Sequence, residues 1–130
     1  MNKRIIRTAA IFGMLAVAMG AFGAHALKAR LSPEALGLWK TAVEYHFYHT
    51  LALLLLAAFF KLKGRLINAA SYGFTFGIIF FSGSLYLLAL REVFNADYGS
   101  ILGPVTPFGG LLFIAGWFCL LLAALKNKNA

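Results

Sequence analysis

The sequence predicts an all-α integral membrane protein, a bundle of four transmembrane helices that forms one domain over residues 1–130. Of these residues, 62% are hydrophobic and 12% are charged, whereas soluble domains contain roughly 25% charged residues. A soluble domain of this composition would leave large apolar patches facing water, so lipid is the simpler solvent. Four apolar windows each approach the ~20 residues that a bilayer requires, and they lie at about 5–27, 41–60, 69–90 and 104–125.

The first span carries small residues at every fourth position. Ala16, Gly20 and Ala24 fall on one helix face, which favours close packing against another helix. The alternative is a cleaved signal peptide over residues 1–26, because the segment has a basic start, an apolar middle and a small-residue site that ends at Ala26. A discarded signal would not need the small-residue stripe, so we expect a retained helix.

A helix is predicted to begin in the first loop. Ser32, Pro33 and Glu34 have the order of an N-cap, a proline at the first helical position and an acid that faces the positive end of the helix dipole. The sequence leaves open whether this helix lies in the membrane interface through Leu36 and Trp39 or continues unbroken into the second span.

The third and fourth spans contain glycines that suit close helix packing. They are Gly73 and Gly77 in the third span and Gly109, Gly110 and Gly116 in the fourth. Pro104 and Pro107 remove backbone donors at the start of the fourth span, which predicts a bent or re-entrant start. Such backbone is tolerated at membrane depth only where protein or water covers it, so this stretch is predicted to face other helices or a cavity.

The distribution of basic residues predicts the orientation of the chain. Of the 12 Lys and Arg residues, eight lie at the two termini and in the second loop, and four lie in the first and third loops. The positive-inside rule therefore places both termini and the second loop in the cytoplasm. The net charge of +8 suits anionic lipid headgroups rather than nucleic acid, because the basic residues sit between apolar segments. The cytoplasmic clusters are Lys3, Arg4 and Arg7; Lys61, Lys63 and Arg65; and Lys126 and Lys128.

Polar residues concentrate in one half of the predicted bundle. Ionisable groups within a membrane are costly enough to indicate a function. The first half of the second span contains six polar residues, Glu44, Tyr45, His46, Tyr48, His49 and Thr50. With the predicted orientation, polar residues of all four spans meet in the outer leaflet. The predicted ligand or proton site consists of His25, Glu44, Tyr45, His49, Ser82, Ser84, Tyr86, Arg91 and Thr106.

Three other interpretations of these polar residues stay open. In a structural one, Glu44 pairs with Arg91 or a histidine, hydroxyl groups bond to backbone carbonyls, and tyrosines anchor the interface. In an enzymatic one, Glu44 and His49 form an acid and base pair, but no nucleophile or substrate motif accompanies them, so a non-enzyme is favoured. A metal or haem site would use the generic set His25, His46, His49 and Glu44, and we predict no metal and no cofactor.

Five short motifs together carry a family resemblance. They are Gly-Ala-Phe-Gly-Ala-His at 20–25, Glu-Tyr-x-x-x-His at 44–49, Phe-Ser-Gly-Ser-Leu-Tyr at 81–86, Thr-Pro-x-Gly-Gly at 106–110 and Ala-Gly-Trp at 115–117. The combination spans nearly the whole chain and resembles the small bacterial membrane family catalogued as domain of unknown function 423. The resemblance implies a multi-pass protein of the bacterial plasma membrane and supplies no activity. By residue it selects His25, Glu44, Tyr45, His49, Ser82, Ser84, Tyr86, Thr106 and Pro107, while His46 falls at a variable position.

The predicted function is to bind or pass a small solute, a proton or a lipid headgroup at the outer-leaflet polar site. The expected partners are the lipid bilayer and an unidentified small ligand, and the glycine stripes leave a homo-oligomer open. The alternative function is that of a non-catalytic membrane scaffold or assembly subunit.

Overall fold

The chain forms six α-helices and one π-helical segment within residues 2–58 and 64–126, which the computed structural model describes. They are α1 (Lys3–Ala24), α2 (Pro33–Ala58), α3 (Arg65–Gly77), the π segment (Ile78–Ser82), α4 (Gly83–Phe94), α5 (Gly99–Leu102) and α6 (Val105–Lys126). No strand occurs in these two ranges, so the predicted all-α class is confirmed. The basic residues Lys61, Lys63 and Lys128, and the last two residues of the second predicted span, lie outside the described ranges.

Three helical stretches are long and apolar enough to cross a membrane. They are Lys3–Ala24; Arg65–Phe94, in which α3, the π segment and α4 run on as one helix of 30 residues; and Gly99–Lys126, in which α5 leads into α6. The helix α2 has 26 residues, which at 1.5 Å per residue gives roughly 39 Å against a hydrocarbon core of ~30 Å. It is not one of these three stretches, and its middle carries the polar residues at positions 44–50.

The helix α2 begins at Pro33 and continues without a break into the second predicted span. Ser32 caps it, because the Ser32 Oγ accepts a hydrogen bond from the Ala35 N–H at 3.2 Å. Glu34 lies in the first turn, where an acid faces the positive end of the helix dipole. The helix that the sequence predicts from Pro33 is therefore the start of α2 and not a separate interfacial helix.

The helix α2 lies at the centre of the bundle. The helix α1 packs along one side of it, α4 and the π segment pack along another, and α6 packs mainly on α3 and the π segment. One apolar cluster surrounds Ala35 and Trp39 near the start of α2, and a second surrounds Leu53 and Leu56 near its end. The buried polar residues of α2 lie between these two clusters.

The first loop is tied to the end of α4 by one pair of residues. The Glu92 carboxylate accepts hydrogen bonds from the Ser32 Oγ at 2.8 Å and from the Ser32 N–H at 3.2 Å. Glu92 is exposed and lies two residues beyond the third predicted span, which ends at residue 90. The Ser32 hydroxyl, helped by the Ser32 N–H and the charge of Arg91, lowers the pKa of Glu92. The carboxylate is therefore the charged acceptor of this contact at neutral pH.

Glycines allow α6 to approach α3 and the π segment at backbone distance. A Cβ built on Gly109 would lie 2.2 Å from the backbone nitrogen of Phe81. A Cβ built on Gly73 would lie 2.9 Å from the carbonyl oxygen of Leu112. Real Cβ atoms do not approach backbone this closely, so both positions require glycine for the observed packing.

The other small residues of the predicted packing stripes differ in their surroundings. A Cβ built on Gly77 or Gly116 would lie 2.3 Å or 2.7 Å from the nearest atom of another helix. At Gly20 and Gly110 the corresponding distances are 3.5 Å and 3.7 Å. Ala16 is buried, whereas Ala24 is exposed. Of these glycines, only Gly77 and Gly116 resemble Gly109 in having no room for a Cβ. The tightest small-residue packing thus lies between α6 and the helix formed by α3 and the π segment.

We expect Gly109→Ala to lower the free energy of unfolding by roughly 1–3 kcal/mol, because the added methyl meets backbone that cannot rotate away. The measurement is the unfolding midpoint in detergent micelles. The matched control is Gly83→Ala, where a Cβ meets nothing within 4 Å and helix propensity predicts equal or slightly higher stability. Equal stability of the two variants would contradict the close approach at Gly109.

Candidate functional site

His49 is a buried histidine whose two ring nitrogens are both occupied. Its Nδ1 lies 2.7 Å from the Tyr45 carbonyl oxygen and its Nε2 lies 3.1 Å from the Trp117 Nε1. A carbonyl only accepts and an indole N–H only donates, so Nδ1 carries the proton and Nε2 accepts. The ring also stacks on Phe113 with centroids 3.5 Å apart. This imidazole is held as one neutral tautomer, and neither nitrogen is free for a metal or a ligand.

His46 lies on a different face of α2, between α1 and α4. It is 3% exposed, and its Nδ1 lies 2.8 Å from the Tyr86 hydroxyl. Its ring meets Phe12 of α1 edge to face. Its Nε2 is buried and has no hydrogen-bond partner within the part of the chain that the structure describes. In the family motifs His46 falls at a variable position, whereas in the structure it is the partner of a predicted site residue, Tyr86.

The three predicted hydroxyl residues Ser82, Ser84 and Thr106 bond inside the bundle. The Ser82 Oγ donates to the Ala42 carbonyl of α2 at 2.8 Å. The Ser84 Oγ lies 2.6 Å from the Thr106 Oγ1 and 2.9 Å from the Phe81 carbonyl oxygen. The π segment ends at Ser82, and its wider turns shift the register of the residues that follow it. One serine thus faces α2 while the other faces α6.

The remaining predicted residues lie nearer the surface. Tyr45 is partly exposed and packs against the Phe81 ring, with centroids 4.7 Å apart. His25 is exposed at the end of α1. Arg91 is exposed and lines a surface depression of about 280 Å³ together with Glu92 and residues 95–97. The structure therefore distributes the predicted site over several places, and Glu44 is the member that lies at a large groove.

This groove, here called the outer groove, has a volume of about 680 Å³ and runs between α1 and α2. It is lined by Gly20, Gly23, Ala24, Lys28, Leu36, Trp39, Lys40, Val43 and Glu44. Lys28, Trp39 and Lys40 are not among the site residues that the sequence predicts. The sequence feature that could have indicated this groove is the set of small residues on the face of α1 opposite α2, because small side chains leave space between two helices.

Trp39 forms a rigid wall of the outer groove. Its Nε1 donates to the Met19 carbonyl oxygen at 2.8 Å, and its ring lies against Tyr86 with centroids 4.6 Å apart. A Cβ on Gly23 would lie 2.4 Å from the same indole ring, so glycine is required there. Trp39 is 4% exposed. The groove is therefore shaped by an indole that other residues hold in place.

Within the described residues, no group of three or more His, Cys, Asp and Glu side chains lies close enough together to hold a metal ion. The single cysteine, Cys119, is half-buried in α6.

Comparison with known proteins gives the family. The family model described as a protein of unknown function, DUF423, matches residues 19–110. The chain belongs to this family. Relatives in the family include the UPF0382 membrane protein YwdK of Bacillus subtilis, which is 41% identical over 126 residues, covering 95% of this chain and 98% of the relative. A UPF0382 membrane protein of Staphylococcus epidermidis is 44% identical over 124 residues, covering 95% of this chain and 97% of the relative. No solved structure matches.

The family match confirms the resemblance predicted from the five motifs, and the relatives are named as membrane proteins, which agrees with the apolar helices. The matched range contains the whole outer groove and the π segment. Trp117, the partner of His49, lies beyond that range.

We expect Trp117→Phe to lower the free energy of unfolding by about 1–3 kcal/mol, because it leaves the buried Nε2 of His49 without a donor. The measurement is the unfolding midpoint in detergent. Phe118→Leu is the control, since that neighbouring side chain is mostly exposed and has no polar group. Wild-type stability of Trp117→Phe would contradict the assigned hydrogen bond.

Proposed function

We propose that the chain is a multi-pass protein of the bacterial plasma membrane in which α1, α2, the α3–α4 helix and α6 each cross the bilayer, with both termini in the cytoplasm. Three of these four are long and apolar enough by themselves, and α2 is long enough and packs between them. The basic residues support the orientation, because two thirds of them lie on the side that carries the termini.

Cysteine labelling tests this topology. In a Cys119→Ser background, we expect Ser100→Cys to react with an impermeant maleimide in intact spheroplasts. Asn2→Cys should react only after the membrane is permeabilised. Both positions are exposed at helix ends, so accessibility to water is not limited by packing. Labelling of Asn2→Cys from outside, or equal labelling of both, would overturn the proposed orientation.

We further propose that the outer groove binds a membrane amphiphile with an anionic headgroup. The observation that carries this proposal is that Lys28 and Lys40 line the same groove as the apolar side chains of Leu36, Trp39 and Val43. In the proposed orientation these lysines lie at the outer headgroup level, where their ammonium groups attract phosphate. The apolar side chains then offer a contact surface for a hydrocarbon chain that runs into the bilayer.

The polar interior supports this proposal over a path for solute or protons. His49 has both nitrogens occupied, Ser82 donates to a backbone carbonyl, and Ser84 bonds to Thr106. A proton or solute path needs groups that can exchange partners, and these groups would leave buried polar atoms unpaired if they did so. The outer groove instead presents its charged groups at a surface that lipid reaches directly.

The rigid Trp39 wall adds to the same proposal. Because Met19, Gly23 and Tyr86 fix the indole before any ligand arrives, binding does not have to order it. A groove of this kind can favour one amphiphile over the surrounding bulk lipid.

Lipid binding tests the proposed function. We expect the double variant Lys28→Gln/Lys40→Gln to retain less phosphatidate in native mass spectrometry than the wild type, by roughly 5-fold for each lysine. Arg30→Gln is the matched control, because it removes a basic group from the same loop outside the groove lining. Equal retention by all three proteins would overturn the proposal and favour the scaffold or assembly subunit.

A further inference from the structure

We infer that the ligand of the outer groove is a single-chain anionic amphiphile with a free hydroxyl just below its phosphate, of the lysophospholipid class, and that Glu44 recognises the hydroxyl. This inference rests on the proposed function of the groove and adds the class of ligand to it.

The depth of each groove residue in the membrane follows from the antiparallel packing of α1 and α2. Gly20 faces Val43 and Gly23 faces Trp39, so the inner end of the groove lies near Gly20 and its outer end near Lys28. Lys40 and Glu44 both line the groove and are one helical turn apart on α2. At 1.5 Å per residue, the backbone of Glu44 is about 6 Å deeper than that of Lys40. The groove therefore presents two cations above one carboxyl group.

Glu44 offers a hydrogen-bond acceptor at this depth. The residue is half-buried and lines the groove, and a carboxylate that faces a groove can accept a hydrogen bond from a ligand. No hydrogen bond or ion pair to its carboxylate occurs within residues 2–58 and 64–126. Arg91, the partner that the sequence suggested, lines a different depression with Glu92 and residues 95–97. A hydroxyl group of a ligand in the groove can therefore donate to Glu44.

Ordinary two-chain phospholipids do not offer this donor. Below their phosphate lie two ester groups, whose oxygens only accept hydrogen bonds and would repel a carboxylate. A lysophospholipid has a free hydroxyl in place of one ester, and that hydroxyl can donate to Glu44 while the phosphate meets Lys28 and Lys40. Charge and hydrogen bonding together thus select the one-chain class.

Three probes with the same phosphate test the inference. They are oleoyl lysophosphatidate, the propanediol analogue that lacks only its free hydroxyl, and dioleoyl phosphatidate. Native mass spectrometry of the intact protein in a neutral detergent measures the retention of each. We expect the wild type to bind lysophosphatidate roughly 10-fold or more tightly than either other probe, because a hydrogen bond to a charged acceptor is among the stronger ones.

The protein variants assign that preference to a residue. We expect Glu44→Ala to bind lysophosphatidate and its deoxy analogue equally, while Glu34→Ala, an acid at the start of α2 outside the groove lining, keeps the wild-type preference. Glu44→Gln preserves the side-chain shape and should weaken the preference without loss of folding, as checked by circular dichroism.

The outcomes separate the two proposals. Lysine-dependent binding without a preference for the hydroxyl would overturn the ligand class, and a preference that survives in Glu44→Ala would overturn recognition by Glu44. Either result leaves the proposed function standing. Absence of lysine-dependent binding for all three probes would overturn the proposed function, and the ligand class with it.

Discussion

Hydrogen bonds from the buried polar groups of α2 to its neighbours shape the arrangement of the other helices. In lipid, apolar contact alone does not decide which helices pair, so hydrogen bonds and close backbone packing do. The helix α6 supplies Trp117 to His49, α4 supplies Tyr86 to His46, and the π segment supplies Ser82 to the Ala42 carbonyl. The helix α1 is tied to α2 as well, because the Met19 carbonyl accepts a hydrogen bond from the Trp39 indole.

The π segment and the glycines of α6 both contribute to the close packing of α6 on its neighbours. The polar contacts fix which helix lies beside which, while glycine decides how near it comes. The helix α6 can reach the backbone of Phe81 only because residue 109 has no side chain. That approach leaves Ser84 beside Thr106 and Phe113 beside His49. Dispersion contacts at this distance add to the hydrogen bonds. Among the described residues, the outer groove at the α1–α2 surface offers about 680 Å³ for a ligand.

The sequence predicted the helices well because hydropathy and helix caps are local properties. The spans at 69–90 and 104–125 fall within Arg65–Phe94 and Gly99–Lys126, and the cap at Ser32 marked the true start of α2.

The sequence did not reveal partners across helices, because periodicity assigns a residue to a face but not to a neighbour. The Tyr86 partner of His46 was therefore not foreseen, and the π segment had no local signal. Lys28 and Lys40 carried charge in the sequence, but only the packing of α1 on α2 brings them to one groove.

If the outer groove holds an anionic lipid, the phosphorus of that lipid must stay near the two lysine ammonium groups. The most direct measurement is the solid-state NMR dipolar coupling between lipid phosphorus and the Nζ atoms of assigned, nitrogen-labelled lysines in anionic membranes. We expect a persistent coupling at Lys28 and Lys40 that is stronger than the coupling at Lys126, which lies at the far end of α6 outside the groove. Coupling at Lys28 and Lys40 no stronger than at Lys126 would contradict the proposed lipid site.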